Sequence, residues 1–88
     1  MKKKFRKKPV VIEAVQWLPH YPAPDVHNTE EIKEFCGEKC KLEGKYGLFI
    51  ATLEGVMQAN PLDWIVKGVN EEFYPVKPNI FKKTYEEL

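Results

Sequence analysis

Apolar and polar positions alternate along most of this chain in short runs, and turn residues cut the runs. From Thr52 to Val76 the cuts fall at Glu54-Gly55, Asn60-Pro61 and Gly68-Val69-Asn70. Short alternating runs joined by tight turns predict a β-meander. Tyr46 to Leu53 reads as a strand with the apolar centre Leu48-Phe-Ile-Ala51. Glu54-Gly55 predicts a two-residue hairpin, and Val56 to Ala59 returns. Asn60-Pro61-Leu62 turns again. Asp63 to Lys67 and Glu72 to Val76 form a second hairpin across Gly68-Val-Asn-Glu71, and Cys40 to Glu43 is a further short strand before the turn Gly44-Lys-Tyr-Gly47.

The first half holds one long β-branched run, Pro9 to Leu18. Val11, Val15 and Trp17 share one face with Glu13; Val10, Ile12 and Ala14 share the other with Gln16. Both faces are mostly apolar, which predicts a central or sandwiched strand, with Pro9 at its first position. Pro19 to His27, with three prolines, predicts a stiff loop. Asn28 followed by Glu31 predicts a capping box opening a helix of about two turns, with Ile32, Phe35 and Cys36 on its apolar face and Gly37 as its stop. Ile80, Phe81, Thr84 and Tyr85 at helical spacing behind Pro78 predict a second short helix.

These elements define an α+β fold: a small, strongly bent antiparallel β-sheet of five or six strands, barrel-like, with two short α-helices. The sheet and helices occupy one domain, residues 9–88, behind a basic N-terminal arm, residues 1–8. A sheet this small has edges that need covering, which predicts a homo-oligomer.

Charge sharpens the picture. The arm holds six of the 14 basic residues, and the rest of the chain has 8 basic against 13 acidic side chains, a net −5. An acidic body disfavours a broad DNA- or RNA-binding face, although Lys2 to Lys8 with Phe5 between them suits phosphates locally. No apolar run reaches the roughly 18 residues of a membrane span. The arm resembles a signal-peptide n-region, but Glu13 and Gln16 interrupt the apolar run behind it and no small-residue cleavage site appears, so export is not expected. Cys36 and Cys40 are then expected as reduced thiols.

Candidate chemistry is sparse. The chain has no serine, which removes serine-hydrolase chemistry. His20, His27, Cys36 and Cys40 lack the Cys-x-x-Cys or His-x-x-x-His spacing of a zinc site. A thiol–imidazole pair among them competes with packing of Cys36 on the apolar helix face. No Gly-x-Gly-x-x-Gly or Gly-Lys-Thr loop is present. Glu30-Glu31, Glu71-Glu72 and Glu86-Glu87 are adjacent pairs whose members point apart, and they read as solvated charge. Glu13, inside an apolar strand, is either a ligand contact or an exposed or ion-paired edge residue. No cofactor and no metal are expected.

The wording itself is distinctive. Lys4-Phe-Arg-Lys-Lys-Pro-Val-Val-Ile-Glu-Ala-Val-Gln-Trp17 opens the chain; Thr52-Leu-Glu-Gly55, Asn60-Pro-Leu-Asp-Trp-Ile-Val-Lys-Gly68, Glu72-Phe-Tyr-Pro75, Lys77-Pro78, Phe81 and Tyr85 come later. Over nearly its whole length this resembles a group of small phage and prophage proteins. The group usually carries glycine where this chain has Leu62, which puts in doubt a turn that needs positive φ there. The resemblance implies a phage origin and a life in the cytoplasm of the infected bacterial host. By analogy of context it implies an anti-defence role, since small phage proteins of this size include sponges for nucleotide-derived immune signals.

Two functions are expected. The first is a non-enzymatic protein that sequesters a small nucleotide-derived ligand. Arg6, Lys8 and Lys77 would hold phosphates, Trp17, Trp64 or Tyr74 would stack on the base, and Glu13 would reach a ribose hydroxyl. The alternative is a phage accessory protein that docks on a host protein through an exposed aromatic face and inhibits it. An enzyme would have to rest on Glu13, His20 or His27 and is the third reading.

Overall fold

The computed structural model describes residues 1–20, 23, 25–44 and 46–88. Its elements run in the order β1 (Glu13–Gln16), α1 (Thr29–Cys36), β2 (Cys40–Glu43), β3 (Gly47–Thr52), β4 (Gly55–Ala59), β5 (Trp64–Lys67), β6 (Phe73–Val76) and α2 (Pro78–Thr84), with a 3-10 turn at Gly37–Lys39. The strands are antiparallel and the class is α+β, as the pattern predicts. The single barrel-like sheet is not observed. There are two three-stranded sheets, ordered β1-β5-β6 and β2-β3-β4. The physical reason lies in two places. The Asn60–Asp63 turn carries the chain from β4 toward β1. Pro75, which has no N–H to donate, lies on β6, and proline in a sheet is confined to such edges.

Registers show which face of each sheet meets the core. In the second sheet Leu42 lies opposite Leu48 and Leu48 opposite Ala59, while Cys40 lies opposite Ile50 and Ile50 opposite Met57. In the first sheet Val15 lies opposite Ile65 and Lys67 opposite Phe73. The core joins Leu48, Ile50, Ala59, Ile65 and Phe73 to Trp17 and to Ile32 and Cys36 of α1, with Val15, Phe35, Cys40 and Leu42 packed around them. Phe35 meets Phe73 edge-on at 5.4 Å. The apolar face predicted for α1 is thus the buried one.

The expected strand 9–18 is far shorter than its sequence suggests, and it is an edge strand, not a central one. Only residues 13–16 pair, from Glu13 opposite Lys67 to Gln16 opposite Trp64. Its partner β5 is itself only four residues long, so Val10, Val11 and Ile12 find no strand to join and Val10 and Val11 are exposed. The stiff loop expected at Pro19–His27 and the Gly44–Gly47 turn fall partly outside the described residues.

Local hydrogen bonds correct two further expectations. Asn28 does not cap α1 with its side chain. Its carboxamide instead serves the end of β1: Oδ1 accepts from the Leu18 N–H at 2.8 Å and Nδ2 donates to the Gln16 carbonyl at 2.6 Å. These polar groups lie where no neighbouring strand continues, so they need a partner more than the helix terminus does. The hairpin loop between β3 and β4 is Leu53-Glu54, one residue earlier than expected, because Thr52 and Gly55 already pair. The Thr52 hydroxyl fixes this turn, accepting from the Glu54 N–H at 3.1 Å and donating to the Gly55 carbonyl at 2.6 Å.

Cys36 and Cys40 form a disulfide, contrary to the expected free thiols. The 3-10 turn between them brings their Cα atoms to 5.7 Å, within bridging range. With a sequence separation of 4 the bond closes a very small loop, so its effect is local: it ties the end of α1 to the start of β2.

Asp63 organises the turn into β5. It is the buried charged residue among those described. Its Oδ2 accepts from the Asn60 N–H at 2.8 Å, its own N–H donates to the Asn60 carbonyl at 3.0 Å, and its carbonyl accepts from the Trp17 N–H at 2.9 Å. Leu62 beside it holds φ +74, so the turn keeps the backbone that glycine would favour even though leucine fills it. Its N–H donates to the Trp17 carbonyl at 2.9 Å, which holds the strained residue in place. Asp63→Ala is expected to cost about 1–3 kcal/mol, because it strands the Asn60 N–H. Leu62→Gly is expected to cost less than about 1 kcal/mol, since relief of positive φ offsets the lost side chain. Urea unfolding of both variants checks this order.

Candidate functional site

The two faces of the first sheet do different work. Ile65 and Phe73 point to the core. Trp64, Val66, Tyr74 and Val76 alternate onto the opposite face. Helix α2 lies against that face. Pro78 opens it at the first position, and Phe81 and Tyr85, one turn apart, aim inward. Phe81 stacks on Trp64 with ring centroids 4.3 Å apart and planes 7° from parallel. Tyr85 continues the row, 5.0 Å from Phe81. The Tyr74 and Tyr85 hydroxyls are 3.5 Å apart.

The N-terminal arm passes beside this row. Lys7 Nζ sits 5.1 Å from the centre of the Tyr85 ring, a cation–π contact. Between the arm and α2 runs an open groove of about 1250 Å³. Its walls include Lys7, Lys8, Val10, Ile12, Trp64, Tyr74, Phe81, Lys82 and Tyr85, with Glu72, Glu86 and Glu87 as acidic members. Lysines and glutamates in equal number suit a small ligand that carries both an anionic group and hydrogen-bond donors. They do not suit a long polyanion.

Burial pushes the Tyr74 hydroxyl up from 10.0 to about 12, assisted by its hydrogen bond to Tyr85, the charge of Tyr85 and the nearby Glu72 carboxylate. The folded chain therefore keeps a proton that the unfolded chain has lost between these values. The stabilisation is complete below about pH 10 and disappears as pH rises through about 12. Denaturation midpoints of wild type should fall across this window, and those of Tyr74→Phe should fall less.

The structure brings three of the sequence-predicted site residues together: Lys8, Trp64 and Tyr74 all line the groove. Four lie elsewhere. Trp17 is 0% exposed in the core, so it offers no ring to a ligand. It lies just past β1 on the Val15 face, which packs inward. Its Nε1 is the buried side-chain polar atom without a partner among the described residues. Glu13 is an exposed residue of the edge strand β1 and is not part of the groove wall. Arg6 is exposed on the arm, and Lys77 is the exposed residue before α2; neither lines the groove. Lys7, Phe81 and Tyr85 are site residues that sequence reasoning passed over. The Phe81–Tyr85 spacing of four was the available signal: it marks a helix face, and that face lines the groove.

Other chemistry does not converge here. His20 and His27 approach each other, with ring centroids at 5.0 Å, but neither lines the groove. The disulfide leaves no thiol on Cys36 or Cys40 to pair with them. Among the described residues no three His, Cys, Asp or Glu side chains group as metal ligands, and no helix is long and apolar enough to cross a membrane.

The architecture is thus a two-sheet α+β fold with an aromatic groove between its basic arm and its last helix. Comparison with protein-family models, with curated proteins and with solved structures found no match for the chain.

Proposed function

We propose that this chain is a non-enzymatic binding protein whose groove holds a small nucleotide-derived ligand. The observation that carries the reading is the row Trp64, Phe81 and Tyr85, open to a groove and flanked by Lys7 and Lys8. Stacked rings accept a base on an outer face at about 1–3 kcal/mol per base. Lysines at the arm side supply the charge for a phosphate. Glu72, Glu86 and Glu87 supply acceptors for ribose hydroxyls or an exocyclic amine. The resemblance to small phage proteins gives this binding a purpose: stoichiometric sequestration of a host signal in the infected cell, with affinity in place of turnover.

Docking on a host protein through an aromatic face draws less support, because Trp64, Tyr74, Phe81 and Tyr85 are half-buried and line a groove; they do not project as a face. Titration with cyclic dinucleotides and ADP-ribose derivatives tests the binding reading. Trp17 is buried, so quenching of tryptophan fluorescence reports Trp64. A saturable quench, with a melting temperature that climbs with ligand concentration, is expected. No quench and no shift with any member of the panel would refute it.

A further inference from the structure

We propose that strand β4 pairs with β4 of a second copy of this chain, antiparallel and centred on Met57. The two sheets have four outer strands, and three carry features that discourage pairing. β2 holds Lys41 and Glu43, exposed and ion-paired at 3.3 Å. β6 holds Pro75, and β1 begins at the exposed Glu13 directly behind the basic arm. Such charges and prolines are how sheet edges avoid joining other chains. β4 reads Gly-Val-Met-Gln-Ala, with no charge and no proline. Val56 is 72% exposed, Met57 43%, and Leu53 at the adjoining turn 80%.

Three observations favour a second copy as the occupant. The first is register. Thr52 and Gly55 close the hairpin, so the alternation of the ladder turns the N–H and C=O of Val56 and Gln58 away from β3, toward the free edge. A two-fold axis at Met57 sets Val56 of one copy opposite Gln58 of the other, and both expose their hydrogen-bonding groups at that edge. The second is charge. The strand is neutral, so no like charges face each other across the axis. The third is exposure. Leu53, Val56 and Met57 form a run of exposed apolar side chains along this edge, and a second copy covers both runs at once. Met57 also stands at a cavity of about 350 Å³ lined by Leu53, Phe73 and Pro75, which a second Met57 at the axis helps to cover.

Sedimentation equilibrium on the full chain tests this with two double variants. Wild type is expected at twice 10.3 kDa in the micromolar range. Val56→Lys with Gln58→Lys sets like charges opposite each other across the axis, and the mass should fall to that of one chain. Val56→Lys with Gln58→Glu sets opposite charges there, and the doubled mass should return. Both side chains point away from the core, and circular dichroism confirms that each variant is folded. Amide exchange on wild type gives an independent reading: Val56 and Gln58 should gain protection as concentration rises. A single-chain mass for wild type at every concentration, a doubled mass for the Lys/Lys variant, or amides at Val56 and Gln58 that ignore concentration would overturn the proposal.

Discussion

Trp17→Ala is expected to remove about 3–5 kcal/mol of stability, the usual range for truncating a buried aromatic side chain. For a chain of 88 residues that is a large share of a total of about 4–13 kcal/mol. The cause is position. Trp17 lies beyond the last paired residue of β1, yet its side chain is enclosed in the cluster with Ile32, Leu48, Ile50, Ile65 and Phe73. It is also the hinge of a hydrogen-bonded corner: its N–H donates to the Asp63 carbonyl and its carbonyl accepts from the Leu62 N–H, both at 2.9 Å. Trp17→Phe keeps the apolar body and removes the unpartnered Nε1, so it should lose much less. Urea unfolding midpoints give both numbers. A Trp17→Ala protein as stable as wild type would mean that the core is assembled differently.

The second large effect is on binding. Tyr85→Ala removes the end of the aromatic row and the ring beneath Lys7, and it should weaken a bound nucleotide about 5- to 150-fold, the equivalent of about 1–3 kcal/mol. Lys7→Glu together with Lys8→Glu should weaken it by at least about tenfold, with an affinity that no longer falls steeply as salt is added. Arg6→Ala and Lys77→Ala, changes outside the groove, should leave affinity within about twofold. Fluorescence titration of each variant separates the groove from the arm's general charge. Equal losses for all of them would point to non-specific attraction.

Much of the fold was legible because its signals are local. Glu54-Gly55, Asn60-Pro61 and Gly68-Val-Asn70 bracket strands whose alternation predicted β3 to β6 nearly to the residue. Gly37 ends α1 at φ +52, and at Gly68 a side chain would collide with the Glu72 carboxylate. The length of β1 was not legible. Val10-Val-Ile12 is as β-branched as any strand, but strand length here is set by β5, which is held between the Asp63 turn and Gly68. The split into two sheets was hidden for the same reason: it depends on which distant strands pair.

The groove was half legible. Trp64 and Tyr74 could be placed on one sheet face from period two alone. That Lys7 and Lys8 return beside Tyr85 depends on the path of the arm across the whole chain, which no short pattern encodes. Trp17 shows the converse error. Its shared face with Val15 already implied burial, although an aromatic at a strand end also suits a stacking platform.

The proposed binding function requires that the groove hold its ligand and leave it unchanged. The most direct measurement is incubation of the protein with cyclic dinucleotides and ADP-ribose derivatives, chromatography of the free ligand, then heat denaturation and chromatography again. One peak is expected to shrink in proportion to protein and to return intact after heating. A new peak growing with time would show turnover, and unchanged peaks throughout would show no capture; either result would contradict the proposed function.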